Sequence, residues 1–218
     1  MIGFDPADDG EDKCATADKI KGVFTDAEDW ASGKDELVQN AKRVWAKAKR
    51  CNACVSYDTI GVGAFVGGYI DEQNDAHGAK VKHYAFHAGG SVMDGDKPSD
   101  PQNRNSPLNK DEYLNLKSQA WANTARRAML TFNAVVRGQA IKPEDVLSFS
   151  SDMGREKLDA LFTELCVPWW VESEGKKRVV PKAKLKKDLG VKSHNLADAV
   201  IAADNIDVGG STYTLANL

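Results

Sequence analysis

The chain has 218 residues, 42% hydrophobic and 28% charged, with a net charge of −3 at pH 7. This suits one large domain with a buried core and rules out a global basic field, so any nucleic-acid contact has to use a local patch. No apolar run approaches the ~18 residues of a membrane span, no secretory signal opens the chain, and Cys14, Cys51, Cys54 and Cys166 suit a reducing compartment better than a disulfide framework.

Residues 2–5, Ile-Gly-Phe-Asp, read as a short buried strand that ends on a carboxylate. Pro6 and Gly10 then stop it within an acidic, turn-rich run. Segments 13–20 and 23–30 read as two further strands joined by Lys21-Gly22, an antiparallel start. A core strand that begins at residue 2 points to the C-terminal part of a larger protein, with Met1 added to it. Residues 35–49 form an amphipathic helix through Leu37, Val38, Ala41, Val44, Trp45 and Ala48. A strand over 53–58, a tight Gly61-Val62-Gly63 turn, a helix over 64–72 and a strand over 81–87 follow. The order βββαβαβ implies a mixed α/β sheet rather than an all-parallel one.

Residues 89–109 are rich in Gly, Pro, Ser, Asp and Asn and read as a long mobile loop. A single helix is expected over 111–137, ending near Gly138. A short strand over 146–150, a helix over 155–166 and a hairpin over 168–181 around Glu174-Gly175 come next. Trp169 and Trp170 fit hairpin or core packing. The last helix is expected over 195–203 with Ser193 or Asn195 as N-cap, and the final residues as a tail.

Three carboxylates stand out: Asp5 and Asp58 at strand ends and Asp198 near a helix start. Taken singly, each is more often a turn, cap or solvated residue. Brought together they repel one another and raise one another's pKa unless a cation neutralises them. Mg²⁺ prefers oxygen ligands and shares them with substrate phosphates, and two such ions about 3.5–4 Å apart serve phosphodiester hydrolysis. On this reading Asp5 bridges both ions, Asp58 holds one, Asp198 the other, and Asp8 and Asp9 add charge nearby.

The segment 3–10, Gly-Phe-Asp-Pro-Ala-Asp-Asp-Gly, resembles the first catalytic strand of the nuclease domain of large terminase subunits from tailed double-stranded-DNA bacteriophages. Segment 57–63, Tyr-Asp-Thr-Ile-Gly-Val-Gly, resembles that family's second motif. Segment 193–200, Ser-His-Asn-Leu-Ala-Asp-Ala-Val, resembles its third. The motifs stand in the family's order and bracket nearly the whole chain, although the interval from Asp58 to Asp198 is long and holds 89–137. The resemblance implies a ribonuclease H-like fold and a single nuclease domain over 1–218. It also implies an upstream ATPase motor, of which no Gly-x-x-x-x-Gly-Lys-Ser/Thr loop is present in this sequence. The implied activity is a metal-dependent endonuclease that cuts concatemeric viral double-stranded DNA during packaging, with Asp5, Asp58 and Asp198 on two Mg²⁺ or Mn²⁺ ions. The implied partners are the motor, the small terminase subunit and the portal, in the bacterial host cytoplasm and transiently at the procapsid portal. Another ribonuclease H-like nuclease (a junction resolvase or hybrid nuclease) and a non-catalytic DNA- or portal-docking module are the alternatives.

Seven basic residues between Lys176 and Lys187 form the densest positive cluster. A solvated hairpin face explains them, but beside a carboxylate pocket Lys176, Lys177, Arg178, Lys182 and Lys184 are expected to grip DNA phosphates without reading sequence. Cys51-x-x-Cys54 lacks the second pair that zinc requires and reads as packing. His83 and His87 share a strand face, and His194 lies four residues before Asp198; each is either structural or an assistant to the pocket. The glycines at 61, 63, 67 and 68 do not have dinucleotide-binding spacing.

Overall fold

The computed structural model describes residues 1–10, 12–190 and 193–206, so the expected tail lies outside the described residues. β1 (Ile2–Asp5), β2 (Lys13–Ile20) and β3 (Val23–Ala31) form the expected antiparallel start, and β4 (Val55–Asp58) and β5 (His83–Phe86) add to it in parallel. With β6 (Ser148–Phe149), the six-stranded sheet has the order β5-β4-β1-β2-β3-β6. The expected mixed α/β architecture is borne out.

Side-chain alternation along the strands decides what each face carries. Ile2 and Phe4 of β1 and Val55 and Tyr57 of β4 enter one core cluster with Val44, Trp45 and Ala48 of α1 (Leu37–Cys51) and Val66 and Ile70 of α2 (Val66–His77). Gly3 and Ser56 face the other way, toward α7 (Asn195–Asp204). There Ala15, Ala17 and Phe24 pack with Leu161 of α5 (Arg155–Cys166) and with Leu196, Ala199, Val200 and Ala203 of α7. By the same alternation Asp5 and Asp58 close their strands on the α7 side, next to each other, because β1 and β4 run parallel with Phe4 opposite Tyr57.

Helix α7 lies almost against the sheet. The Ser56 hydroxyl donates to the Ala202 carbonyl at 2.8 Å, and a Cβ on Gly3 would stand 2.0 Å from the Ala199 carbonyl oxygen. At its C-terminal end the fully buried Asp204 carboxylate meets Lys19 at 2.6 Å, Thr124 at 2.9 Å and Arg127. The helix is thereby tied to β2 and to α4 (Leu116–Arg137).

Four expectations change. The helix over 111–137 is two pieces, α3 (Asn109–Glu112) and α4. The break arises because Tyr113 is extended, the Leu114 N–H donates to the Lys177 carbonyl at 3.0 Å, and the Asn115 side chain accepts the Ser118 N–H at 3.0 Å as an N-cap. The hairpin forms as β7 (Trp170–Ser173) and β8 (Lys176–Val179), but a further helix, α6 (Lys182–Leu189), follows it between Pro181 and Gly190. Residue 194, not Ser193 or Asn195, is the N-cap of α7, and its side chain makes no capping bond. After the β4 strand a 3-10 turn over Gly61–Phe65 leads into α2, which runs on to His77.

The loop over 89–109 folds back on itself, with Ser99 donating to the Pro107 carbonyl at 2.8 Å and the Asn109 side chain to the Asp94 carbonyl at 3.1 Å. Gln119 of α4 anchors it by accepting the Met93 N–H at 2.7 Å and donating to the Met93 carbonyl at 2.8 Å. No helix among the described residues is long and apolar enough to cross a membrane.

Gly3→Ala is expected to force α7 off β1 and to cost about 1–3 kcal/mol of stability, the usual penalty for overpacking, as measured by urea unfolding. An unchanged midpoint would show that the helix has room to move.

Candidate active site

A cavity of 650 Å³ opens at the carboxyl ends of β1 and β4, the edge where open α/β sheets bind their ligands. Asp5, Asp58 and Asp198 all line it, together with Asp8, Asp9 and Asp12 from the turn after β1. Lys117, Lys182 and Lys186 line it as well. The three aspartates read from the sequence therefore come together, although Asp198 lies 140 residues beyond Asp58 (198 − 58).

Each carboxylate is placed by its own local device. Asp5 ends β1 and is 8% exposed. Asp58 ends β4, and its Oδ1 accepts the Ile60 N–H at 3.0 Å, an Asx turn that redirects the chain. Gly61 then takes a positive φ of 62°, and Gly63 sits so near the Asp58 carbonyl that a Cβ would lie 1.8 Å from it. This is why the motif needs glycine at both positions. Asp198 occupies the first turn of α7, 7% exposed, with its N–H donating to the His194 carbonyl at 2.9 Å.

Two lysines answer the buried charge. Lys117 Nζ lies 2.7 Å from Asp198 Oδ1, and Lys182 Nζ lies 3.1 Å from Asp198 Oδ2 and 3.9 Å from Asp5 Oδ2. Burial alone would push Asp198 up, yet Lys117 and Lys182 hold it well below the usual carboxylate range. Asp5 goes the other way. Burial raises it strongly, Lys182 opposes only in part, and Asp198 and Asp58 raise it further. Burial also raises Asp58, against the pull of the Ile60 N–H. Burial lowers Lys182, but Asp198 and Asp5 outweigh it and hold the ammonium group well above its ordinary range. Among the described residues no three His, Cys, Asp or Glu side chains already stand as a ready-made metal cage. The charges that close the pocket are ammonium groups.

Of the five basic residues expected on DNA, only Lys182 lines this cavity. Lys176, Lys177 and Arg178 are on β8, where Lys177 pairs with Glu112 at 2.5 Å, and Lys184 pairs with Asp188 at 2.6 Å along α6. The cluster is thus split between a hairpin strand and a helix. His83 meets Asp71 at 3.0 Å and the His87 Nδ1 meets the Thr59 hydroxyl at 2.9 Å; neither lines the cavity. His194 is 1% exposed, its Nε2 3.7 Å from Asp198 Oδ1, and burial lowers its pKa to about 4, so it is neutral near pH 7. None of the four cysteines is in a disulfide, and Cys14 is buried, its Sγ accepting the Ala7 N–H at 3.2 Å.

The sequence reading missed Lys117. Lys117 and Lys182 both sit in the first turn of a helix, where the macrodipole disfavours cations, but both helix starts differ from those expected along the chain.

No protein-family model matches the sequence, and no curated protein matches it. Solved structures do. The nuclease domain of the large terminase subunit of bacterial virus Sf6 superposes with a TM-score of 0.83 at 27% identity, covering 94% of this chain and 87% of that one. The chain has the fold of a large-terminase nuclease domain. A lysine-to-alanine variant of that Sf6 domain, solved with manganese and β-thujaplicinol, gives a TM-score of 0.84 at 26% identity over 94% of this chain and 87% of that one. The same variant with calcium gives 0.83 at 27% over 94% and 88%. The resemblance read from the three motifs is borne out, and so is the ribonuclease H-like fold that it implied.

A group whose pKa is raised on folding adds stability at low pH and loses it as pH rises through the folded value. Asp5 is such a group, so Asp5→Asn is expected to stabilise the protein in EDTA near neutral pH by roughly 1 kcal/mol, a few degrees in thermal midpoint. The gain should shrink as pH falls toward the ordinary carboxylate range. A lower midpoint near neutrality would mean that ionised Asp5 is net stabilising.

Proposed function

We propose that the chain is the nuclease domain of a viral DNA-packaging terminase, an endonuclease that cuts double-stranded DNA with the help of divalent cations. The observation that carries this reading is the convergence of Asp5, Asp58 and Asp198 on one cavity, within a fold shared with the Sf6 nuclease domain. The Sf6 variants that hold manganese and calcium support the choice of a divalent ion.

The residues fit such an ion. Their donors are carboxylate oxygens, which suit Mg²⁺ and Mn²⁺. Asp198 already balances its charge against two ammonium groups, one on each oxygen, which together equal the charge of one divalent cation. Asp5 and Asp58, raised by burial, are carboxylates that a cation would turn into stable anions. On this reading Asp5 would hold both ions, Asp58 one and Asp198 the other. Two ions in such a site supply an activated water and neutralise charge on the leaving oxygen of a phosphodiester.

The remaining work falls to the chain's own side chains. Lys182, 37% exposed and bridging Asp5 and Asp198, is within the cavity and free to shift its ammonium toward a phosphate when cations take the carboxylates. Lys117 keeps Asp198 ionised. The basic residues of β8 and α6 extend positive charge beyond the cavity for sequence-independent backbone contacts. In a full packaging machine the domain would act with an ATPase motor, a small terminase subunit and a portal, in the bacterial cytoplasm and at the procapsid.

Asp5→Ala, Asp58→Ala and Asp198→Ala are each expected to lower Mn²⁺-dependent cleavage of supercoiled plasmid by at least about a thousandfold, equal to several kcal/mol of lost transition-state stabilisation. Circular dichroism should show all three folded. A folded Asp5→Ala protein that still cuts would refute the assignment.

Metal binding should also release protons, because Asp5 holds its proton above the usual carboxylate range and ligands bind as anions. Mn²⁺ affinity is therefore expected to rise with pH through the window in which Asp5 titrates. Calorimetry in buffers of different ionisation enthalpy measures the protons released; none released would contradict the placing of Asp5 among the ligands.

A further inference from the structure

The first turn of α7 carries Asp198 but cannot secure its own end. Its N-cap residue, His194, makes no side-chain capping bond. The leading N–H groups of any helix lack intrahelical partners and need acceptors from elsewhere. Here the acceptor comes from another helix. Glu164 of α5 reaches across, and its Oε2 accepts the Ala197 N–H at 3.1 Å. Ala197 and Leu196, whose N–H groups both pull the Glu164 carboxyl down, are the two residues directly before Asp198.

From this geometry we infer that Glu164 is a positioning residue for the nuclease site: it caps α7 from outside and so fixes where Asp198 presents its carboxylate. The inference rests on the metal-dependent nuclease reading.

The apolar contacts between α5 and α7 cannot do this alone. Leu161 and Leu165 meet Leu196, Ala199 and Val200. Of the α7 residues in that cluster, Ala199 and Ala203 end at a single methyl group, and both are buried. Such short side chains permit close approach but interlock weakly along the helix axis. A directional hydrogen bond to a particular N–H supplies the register that smooth packing lacks. The macrodipole adds to it, since a carboxylate at a helix N-terminus is attracted to the partial positive charge there. Burial pushes the Glu164 carboxyl up to about 7, with the Ala197 and Leu196 N–H groups pulling it down. The accepting role survives in either protonation state, because a carboxyl group retains an acceptor oxygen when neutral.

Glu164 is not part of the cavity lining, so its effect on the site is read through metal binding. The test is Mn²⁺ titration by calorimetry of the wild-type chain, Glu164→Ala, Glu164→Gln and Asp5→Asn, without DNA. Residues that orient metal ligands typically change affinity about 10–100-fold when removed. Glu164→Ala is expected to weaken Mn²⁺ binding by about tenfold at least, while Glu164→Gln, whose amide oxygen still accepts an N–H, restores most of it. Asp5→Asn should abolish binding. If Glu164→Ala unfolds, Glu164→Asp, with its shorter reach, takes its place and is expected to show the same loss. Native-like Mn²⁺ affinity in the folded Ala or Asp variant overturns the positioning role, and so does a Gln variant as weak as Ala, which would assign the effect to charge. Unchanged binding in Asp5→Asn would instead overturn the metal site itself.

Discussion

The constraint around which the pocket is built is a set of buried carboxylates held against two lysines. Asp5 and Asp198 are both under a tenth exposed, and Asp198 has an ammonium group within 3.1 Å of each oxygen. Charges removed from water at this depth are costly unless paired. The sheet and α7 deliver the anions, and the first turns of α4 and α6 deliver the cations. The fold thus brings the ends of β1 and β4 and the first turns of α4, α6 and α7 to one cavity.

The arrangement sets local stability against function. Lysines at the start of α4 and α6 oppose the helix dipoles. Burial raises Asp5, and Lys182, 3.9 Å away, offsets that only in part. Locally unfavourable groups are gathered in one cavity, an arrangement that stability alone does not favour. The opposite end of α7 shows the contrast. Asp204 is equally buried, but Lys19, Arg127 and Thr124 satisfy it, and it lies away from the carboxylate cavity. One helix carries two buried carboxylates, one tied to Lys19, Arg127 and Thr124 and the other facing the cavity shared with Asp5 and Asp58.

Helix α7 is therefore the member on which the site turns. It packs against β1, β2 and β4, and small residues on both sides bring it close enough for Asp198 to reach Asp5's neighbourhood. A larger residue at Gly3 or along the alanine face would separate the carboxylates without altering any of them. This explains why the motif around Asp198 is rich in alanine: the helix must lie nearly flush with the strand ends.

Much of this was legible along the chain. Segments 2–5 and 53–58 read as strands that end on Asp5 and Asp58, and Gly61-Val62-Gly63 reads as a tight turn, as the fold has them. The amphipathic spacing of α1 and the boundaries of α5 were readable because local periodicity and punctuation agreed with the fold. Tertiary contacts decided the rest. The break before α4 depends on hydrogen bonds to β8, more than sixty residues later in sequence (177 − 114 = 63), which no local pattern contains. Helix α6 has one buried apolar side chain, Leu185, too little periodicity to stand out within a basic run. The sequence by itself determined which carboxylates end strands and which faces are apolar, since those follow from two- and four-residue periodicities. Only the folded chain decided that Lys117, Lys182 and Glu164 converge on the ends of these elements, because their partners are set by packing between segments far apart along the backbone.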